Sequence, residues 1–285
     1  MKTQLKQFRS FLVLAVIFGI FSCSQEESVL SNDGILNENL ETFLVNRSAD
    51  KLNVFKGPEV QYGLGKARSW ISVNRDGFPI EIGIELTPKV LSDLTLLNEG
   101  HELTTVLPLH KKAKDLTPFE HLGLNYQPEG HGPVFWDEHI DFHFYTITNE
   151  ERLAIPEYDP DNQTIVNAFN YFPDMTKMPS DYFKFPGQGG VYAKMGKHWV
   201  PQDWQTGYNP FTHVMILGSY AQINNFIEPM VTIDYLLSGD EFSGNYSQPE
   251  TFEESGNNYP TKYNIFHDDK SGKIYITLSD FVTRN

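Results

Sequence analysis

Seven consecutive residues, His139-Ile140-Asp141-Phe142-His143-Phe144-Tyr145, alternate polar and apolar with a period of two. Successive side chains of an extended strand point to opposite faces. His139, Asp141, His143 and Tyr145 therefore share one face, and Ile140, Phe142 and Phe144 share the other. The apolar face needs a second layer to cover it, which commits this part of the chain to a packed sheet. Ile80, Ile82, Ile84 and Leu86 alternate in the same way with Glu81, Gly83 and Glu85, a pattern that predicts one buried face and one wet face.

The rest of the chain reads as many short strands with few helices. Segments 67–73 and 79–86 flank Asn74-Arg75-Asp76-Gly77, a hairpin turn. Thr87-Pro88 opens a short helix to about residue 97, with Thr as N-cap and Pro at N1. Further strands are expected at 103–109, 119–126, 136–148, 191–199, 211–219, 223–228 and 230–237, and a brief helical turn follows Asn149. Residues 156–190 form a long aromatic-rich excursion, whose composition favours an ordered loop. Residues 238–260 read as an exposed acidic loop, and 262–267 with 273–278 as a closing hairpin. The expected fold is mainly β, an antiparallel β-barrel or sandwich with a few short helices, in a single domain spanning 59–285.

The N-terminus carries an address. Lys2, Lys6 and Arg9 precede the apolar run 11–21, which has the length of a signal-peptide core and is short for a bilayer span. Ile20-Phe21-Ser22-Cys23 resembles the lipobox of bacterial lipoproteins, in the loose form found in Bacteroidota. Ser24-Gln25-Glu26-Glu27 resembles the acidic signal that exports such proteins to the cell surface. These resemblances imply cleavage after residue 22, lipidation of Cys23, a flexible tether over 23–58, and anchoring to the outer membrane with the domain facing outward. An ordinary secretory signal is the alternative.

Removing Lys2, Lys6 and Arg9 from 22 Lys and Arg leaves 19 against 37 Asp and Glu, a formal charge of −18 for the processed chain. Such a surface disfavours nucleic acid as a partner and suits a solvated extracellular protein. Cys23 is the chain's one cysteine, so the fold contains no disulfide and no thiol chemistry and rests on its core.

The polar face of 139–145 concentrates imidazole and carboxylate, the donors of borderline and hard metal ions. Strand residues two apart are about 7 Å apart and can share an ion, whereas residues four apart, at about 13 Å, cannot. His139 with Asp141, or Asp141 with His143, can thus share an ion, with a third ligand from His198, His213 or Glu228. Two imidazoles and a carboxylate with open positions suit Zn(II), Fe(II) or Mn(II). Tyr145, Trp199 and Tyr220 are candidates for stacking against a small-molecule ligand. The competing reading is a purely structural histidine network, each ring satisfied by a carboxylate or carbonyl, in a non-catalytic envelope protein that makes contacts between copies of the chain. If the chain is an enzyme, metal-assisted hydrolysis or oxidation fits better than nucleophilic catalysis, since no Ser-His or Cys-His arrangement stands out.

Three blocks also carry a resemblance: Gly130-His131-Gly132-Pro133 through Trp136-Asp137 to Tyr145; Met195-Gly196-Lys197-His198-Trp199; and Phe211-Thr212-His213 through Gly218-Ser219-Tyr220 to Glu228-Pro229-Met230. Over about residues 60–285 the chain resembles a family of uncharacterised bacterial domains that includes a stress-regulon protein of Thermus. Glu138 stands where relatives are expected to have Pro. The resemblance implies a secreted or lipid-anchored domain and leaves the reaction open.

Overall fold

The computed structural model describes residues 52–284 except 102, 133, 134, 173 and 209. The expected signal peptide, Cys23 and most of the expected tether lie outside the described residues. The chain begins in a first sheet: β1 (Asn53–Lys56), β2 (Val60–Tyr62), β3 (Gly65–Val73) and β4 (Pro79–Leu86). It crosses to a second sheet through β5 (Thr105–Pro108), β6 (His121–Gln127), β7 (His139–Tyr145), β8 (Tyr182–Lys184), β9 (Val191–Tyr192), β10 (Gly196–Pro201), β11 (His213–Tyr220) and β12 (Ile223–Thr232). It then returns through β13 (Phe242–Asn245), β15 (Lys262–Asp268) and β16 (Lys273–Ser279), while β14 (Asn258–Tyr259) pairs with β17 (Val282–Thr283) at one end.

The first sheet runs β1-β3-β4-β16-β15-β13, with β2 on β3, and the second runs β5-β6-β7-β12-β11-β10-β8, with β9 on β10. Neither closes on itself, so the architecture is a sandwich and not a barrel. Folded structure reaches back to β1, inside the segment expected to be tether, because residues 53–56 pair with 70–73. Among the described residues no helix is long and apolar enough to cross a membrane.

The main core lies between the sheets. Ile71, Ile82, Ile84, Leu86, Ile265 and Ile276 of the first sheet meet Leu122, Leu124, Ile140, Phe142, Phe144 and Val231 of the second. Each of these is under 1% exposed, and each contributes about 1.5–3 kcal/mol of transfer free energy. The apolar side of the 139–145 alternation thus faces the first sheet. Its polar side faces outward from the sandwich, under a cover built from the connections that precede and follow β7.

Several expectations change. The polar face of β4 is buried: Glu85 pairs with Lys273 at 2.7 Å and Lys56 at 3.4 Å, and Glu81 accepts from Thr277. The helix after Thr87 is two 3₁₀ turns, Pro88–Ser92 and Leu94–Leu96. A short helix not expected from the sequence, α1 (Lys111–Leu116), is capped by the His110 ring accepting from the Lys112 amide. The turn after β7 is α2 (Asn149–Leu153), and its N-cap is Thr148, in a capping box with Glu151. The excursion 156–190 is ordered around α3 (Gln163–Asn170) and β8. Segments 223–228 and 230–237 are instead one strand, β12, followed by α4 (Ile233–Ser238). Pro229 is tolerated inside β12 because the ladder to β7 skips from Ile227↔Phe144 to Met230↔Asp141. The 238–260 loop contains β13 and docks through Lys177–Glu253 at 2.5 Å.

Candidate metal centre

Cross-strand register decides which side chains meet. His143 lies opposite Gly123 on β6, and Asp141 opposite Asn125. On the other flank Asp141 lies opposite Met230, and strand parity sets Glu228 beside His143. From β12 the outer face continues through Glu228↔Ile216 and Phe226↔Gly218 to His198↔Gly218 on β10. Thus His139, Asp141, His143, Glu228 and His198 converge from three strands on one outer face.

Two further histidines arrive from the cover. His101 sits in the connection before β5, which Asn125 Nδ2 holds by donating to the carbonyls of Gly100 and His101 at 2.9 and 3.1 Å. His131 precedes β7, its amide bonded to the Phe135 carbonyl at 2.7 Å. Tyr192 of β9 closes over them, stacked on His101 at 3.7 Å and edge-on to His198 at 5.0 Å. Gly196, at φ +120°, makes this turn possible, because a Cβ there would lie 2.6 Å from the Ser219 carbonyl oxygen. Buried Arg152 of α2 ties the cover down by donating to Thr104 Oγ1 and the Lys194 carbonyl, both at 3.3 Å.

The result is two adjacent triads, His143/His198/Glu228 and His101/His131/Asp141, each with one ligand atom per residue within 4.8 Å of the others. In the first, His143 Nε2 lies 3.6 Å from Glu228 Oε1, and His198 Nε2 lies 3.4 Å from Glu228 Oε2. Bonds of about 2.1 Å at tetrahedral angles put donor atoms about 3.4 Å apart, so these separations suit a shared ion. The His198 Nδ1 lies 3.2 Å from the Gly190 carbonyl, which fixes the tautomer with Nδ1–H donating and turns the Nε2 lone pair toward Glu228. His198 Nε2, both nitrogens of His143 and Glu228 Oε2 are buried without a hydrogen-bond partner, a costly arrangement that a cation would relieve.

The second triad has a fourth histidine against it, and its His101 Nε2 and Asp141 Oδ1 are likewise buried without a hydrogen-bond partner. His139 Nε2 stands 3.2 Å from both Asp141 Oδ1 and His131 Nε2, and Asp141 Oδ2 accepts from Gln127 at 2.8 Å. His101 Nε2 is 4.0 Å from Asp141 Oδ2.

Burial governs the charges. It pushes His101 down to about 3 and His131 and His198 each to about 4, and holds His143 well below the usual histidine range. All four rings are therefore neutral, the form that ligates metals. Burial, reinforced by Asp141, raises Glu228 well above the carboxylate range. For Asp141, burial opposes charge, but the imidazoles of His139, His131 and His101 outweigh it and hold the carboxyl well down. The same attraction outweighs burial at His139 and raises it.

The structure separates the remaining sequence candidates from this cluster. His213 is a correction: on β11, residues 213 and 215 face the first sheet, and His213 Nδ1 meets Tyr263 Oη at 2.9 Å, with Phe242 4.1 Å away between ring centres. It cannot share an ion with His143. Trp199 lies on the opposite face of β10 from His198, its Nε1 donating to Ser219 Oγ at 2.9 Å. Tyr220 packs edge-on against Phe169 at 5.0 Å. Tyr145 borders the cluster, stacked between His143 at 5.1 Å and His121 at 4.7 Å, and is fully buried. Sequence reasoning missed His101 and Tyr192, which carry no local signal. It also passed over His131, although the Gly-His-Gly-Pro block that holds it stands out.

A cavity of about 200 Å³ opens beside the cluster, with His131 and His198, one from each triad, among its walls. A second cavity of about 130 Å³ lies between β12 and the 246–260 loop. Of its ionic groups Lys177, Glu253 and Glu254, the first two pair with each other, and among the described residues it carries no comparable cluster of ligands. Compared with protein-family models, curated proteins and solved structures, the chain matches none. Buried His, Asp and Glu groups that could hold a metal are the chain's distinguishing chemical feature.

Proposed function

We propose that this chain is a lipid-anchored outer-membrane protein, tethered through Cys23 with its domain outside the cell, whose sandwich binds a divalent transition ion, Zn(II), Fe(II) or Mn(II), through His143, His198 and Glu228. The observation that carries the metal reading is the unpartnered set of buried donors aimed at one point. Two imidazoles and a carboxylate leave at least one coordination position open, as in catalytic rather than structural sites. An ion held so would act as a Lewis acid or a redox centre on a small molecule. The His101/His131/Asp141 triad offers a second position beside the first.

A purely structural network describes part of the cluster, since Asp141 Oδ2 accepts from Gln127 and His139 Nε2 lies 3.2 Å from Asp141 Oδ1. It does not account for His143 and His198. Elemental analysis of protein purified without chelator tests the metal reading. Stoichiometric metal that is lost in His198→Ala or His143→Ala supports it, while folded, metal-free protein that takes up no added ion refutes it. The anchor is tested separately, by whether Cys23→Ser moves the protein from the membrane to the soluble fraction.

A further inference from the structure

The cavity beside the cluster has a composition that the metal ligands alone do not explain. Its walls are Phe135, Phe185, Tyr192, Val200, Ile216 and Met230, and its polar groups are the rings of His131 and His198. Val200, Ile216 and Met230 belong to the outer-face core and are at most 4% exposed, so this end of the cavity is rigid. The rim is built by Gly132, Gly189 and Gly190. At Gly190, φ is +68° and the backbone runs against the His198 carbonyl oxygen, keeping side chains out of the mouth. A rigid apolar cavity of about 150 Å³ admits a benzene ring, and this one, at about 200 Å³, has room for a ring with a small head group.

Charge selects the head group. A divalent ion with two neutral imidazoles and one carboxylate keeps a net positive charge, so its open position favours an anionic oxygen. We infer, building on the metal reading above, that the cavity takes a small apolar acid: a single ring or short branched chain, inside the Phe135, Val200 and Ile216 walls, with one carboxylate-type oxygen on the metal at His198.

Cobalt-substituted protein, titrated with benzoate and with acetate and followed by its visible d–d absorption, tests this. The two probes share a head group and differ by the ring. Covering roughly half of a phenyl ring, about 60 Å², corresponds to about tenfold in affinity. Benzoate is expected to bind at least tenfold more tightly than acetate. In Phe185→Ser, which removes a half-buried wall residue that is not itself a ligand, that preference should fall to less than threefold with cobalt content unchanged. Equal affinities, or a preference indifferent to Phe185→Ser, would overturn the apolar-acid inference and leave the metal reading standing. Failure to take up cobalt would sink both, and equal cobalt content in wild type and Phe185→Ser distinguishes the two failures.

Discussion

Glu228→Gln isolates the metal role of a buried acid from its structural role. Glu228 is 1% exposed, and burial, reinforced by Asp141, raises its carboxyl well above the carboxylate range, which favours the protonated form in the metal-free protein. Gln has the shape of that neutral acid, so the metal-free variant should lose less than about 1 kcal/mol. Metal binding requires the carboxylate and expels the proton, and Gln cannot follow. Losing one of three charged or imidazole ligands should weaken binding at least about a hundredfold, about 2.7 kcal/mol. With free ion at about a thousand times Kd, the wild type gains about 4.1 kcal/mol, a rise in Tm of about 8–16 °C for a domain of this size. At the same ion concentration the variant stands at about ten times its own Kd and gains about 1.4 kcal/mol, a rise of about 3–6 °C. Differential scanning calorimetry with chelator and then with excess ion reads both numbers. A variant that keeps the full metal-induced rise would refute the ligand assignment. A metal-free variant whose Tm falls by about 6–20 °C would mean that an ionised Glu228 was holding the histidines together, as breaking a buried ion pair costs about 3–5 kcal/mol.

Gly218→Ala should cost about 1–3 kcal/mol in urea unfolding, because its Cβ would lie 2.0 Å from the Phe226 ring. Phe226 touches His143 and His198, each at 4.9 Å between ring centres, so metal affinity should fall as well, and an unchanged affinity would show that Phe226 does not position them. His213→Gln should leave metal stoichiometry unchanged by elemental analysis, since that ring faces the first sheet. Acid should weaken the fold through His121, which burial and then Arg152 push down to about 4. Between the unfolded value near 6.5 and about 4 the unfolded chain binds a proton that the folded one refuses. Stability is therefore intact above about pH 6.5 and falls on acidification by up to about 1.4 kcal/mol per pH unit. Unfolding free energies from urea curves at pH 7 and 5 should differ less in His121→Gln than in wild type, by about 1 kcal/mol per pH unit, and parallel slopes would count against this assignment.

The alternation from His139 to Tyr145 determined a strand with one apolar and one ligand-bearing face before any contact was known, because side-chain direction in an extended chain is a local property. The hairpin at Asn74–Gly77 and the closing hairpin around Asp268-Asp269 were legible for the same reason, since turn chemistry is local. Tertiary structure decided everything that depends on register. His213 and His198 both lie on strands near Glu228, yet a one-residue difference in parity sends one to the inter-sheet core and the other to the metal cluster. The burial of Glu81 and Glu85 depends likewise on Lys56, Lys273 and Thr277, which lie distant in sequence. His101 and Tyr192 reach the site from connections whose paths are set by Asn125, Gly196 and Arg152 across the sheet. Local periodicity announces which way a strand's side chains point, and only the packed sandwich determines what they meet.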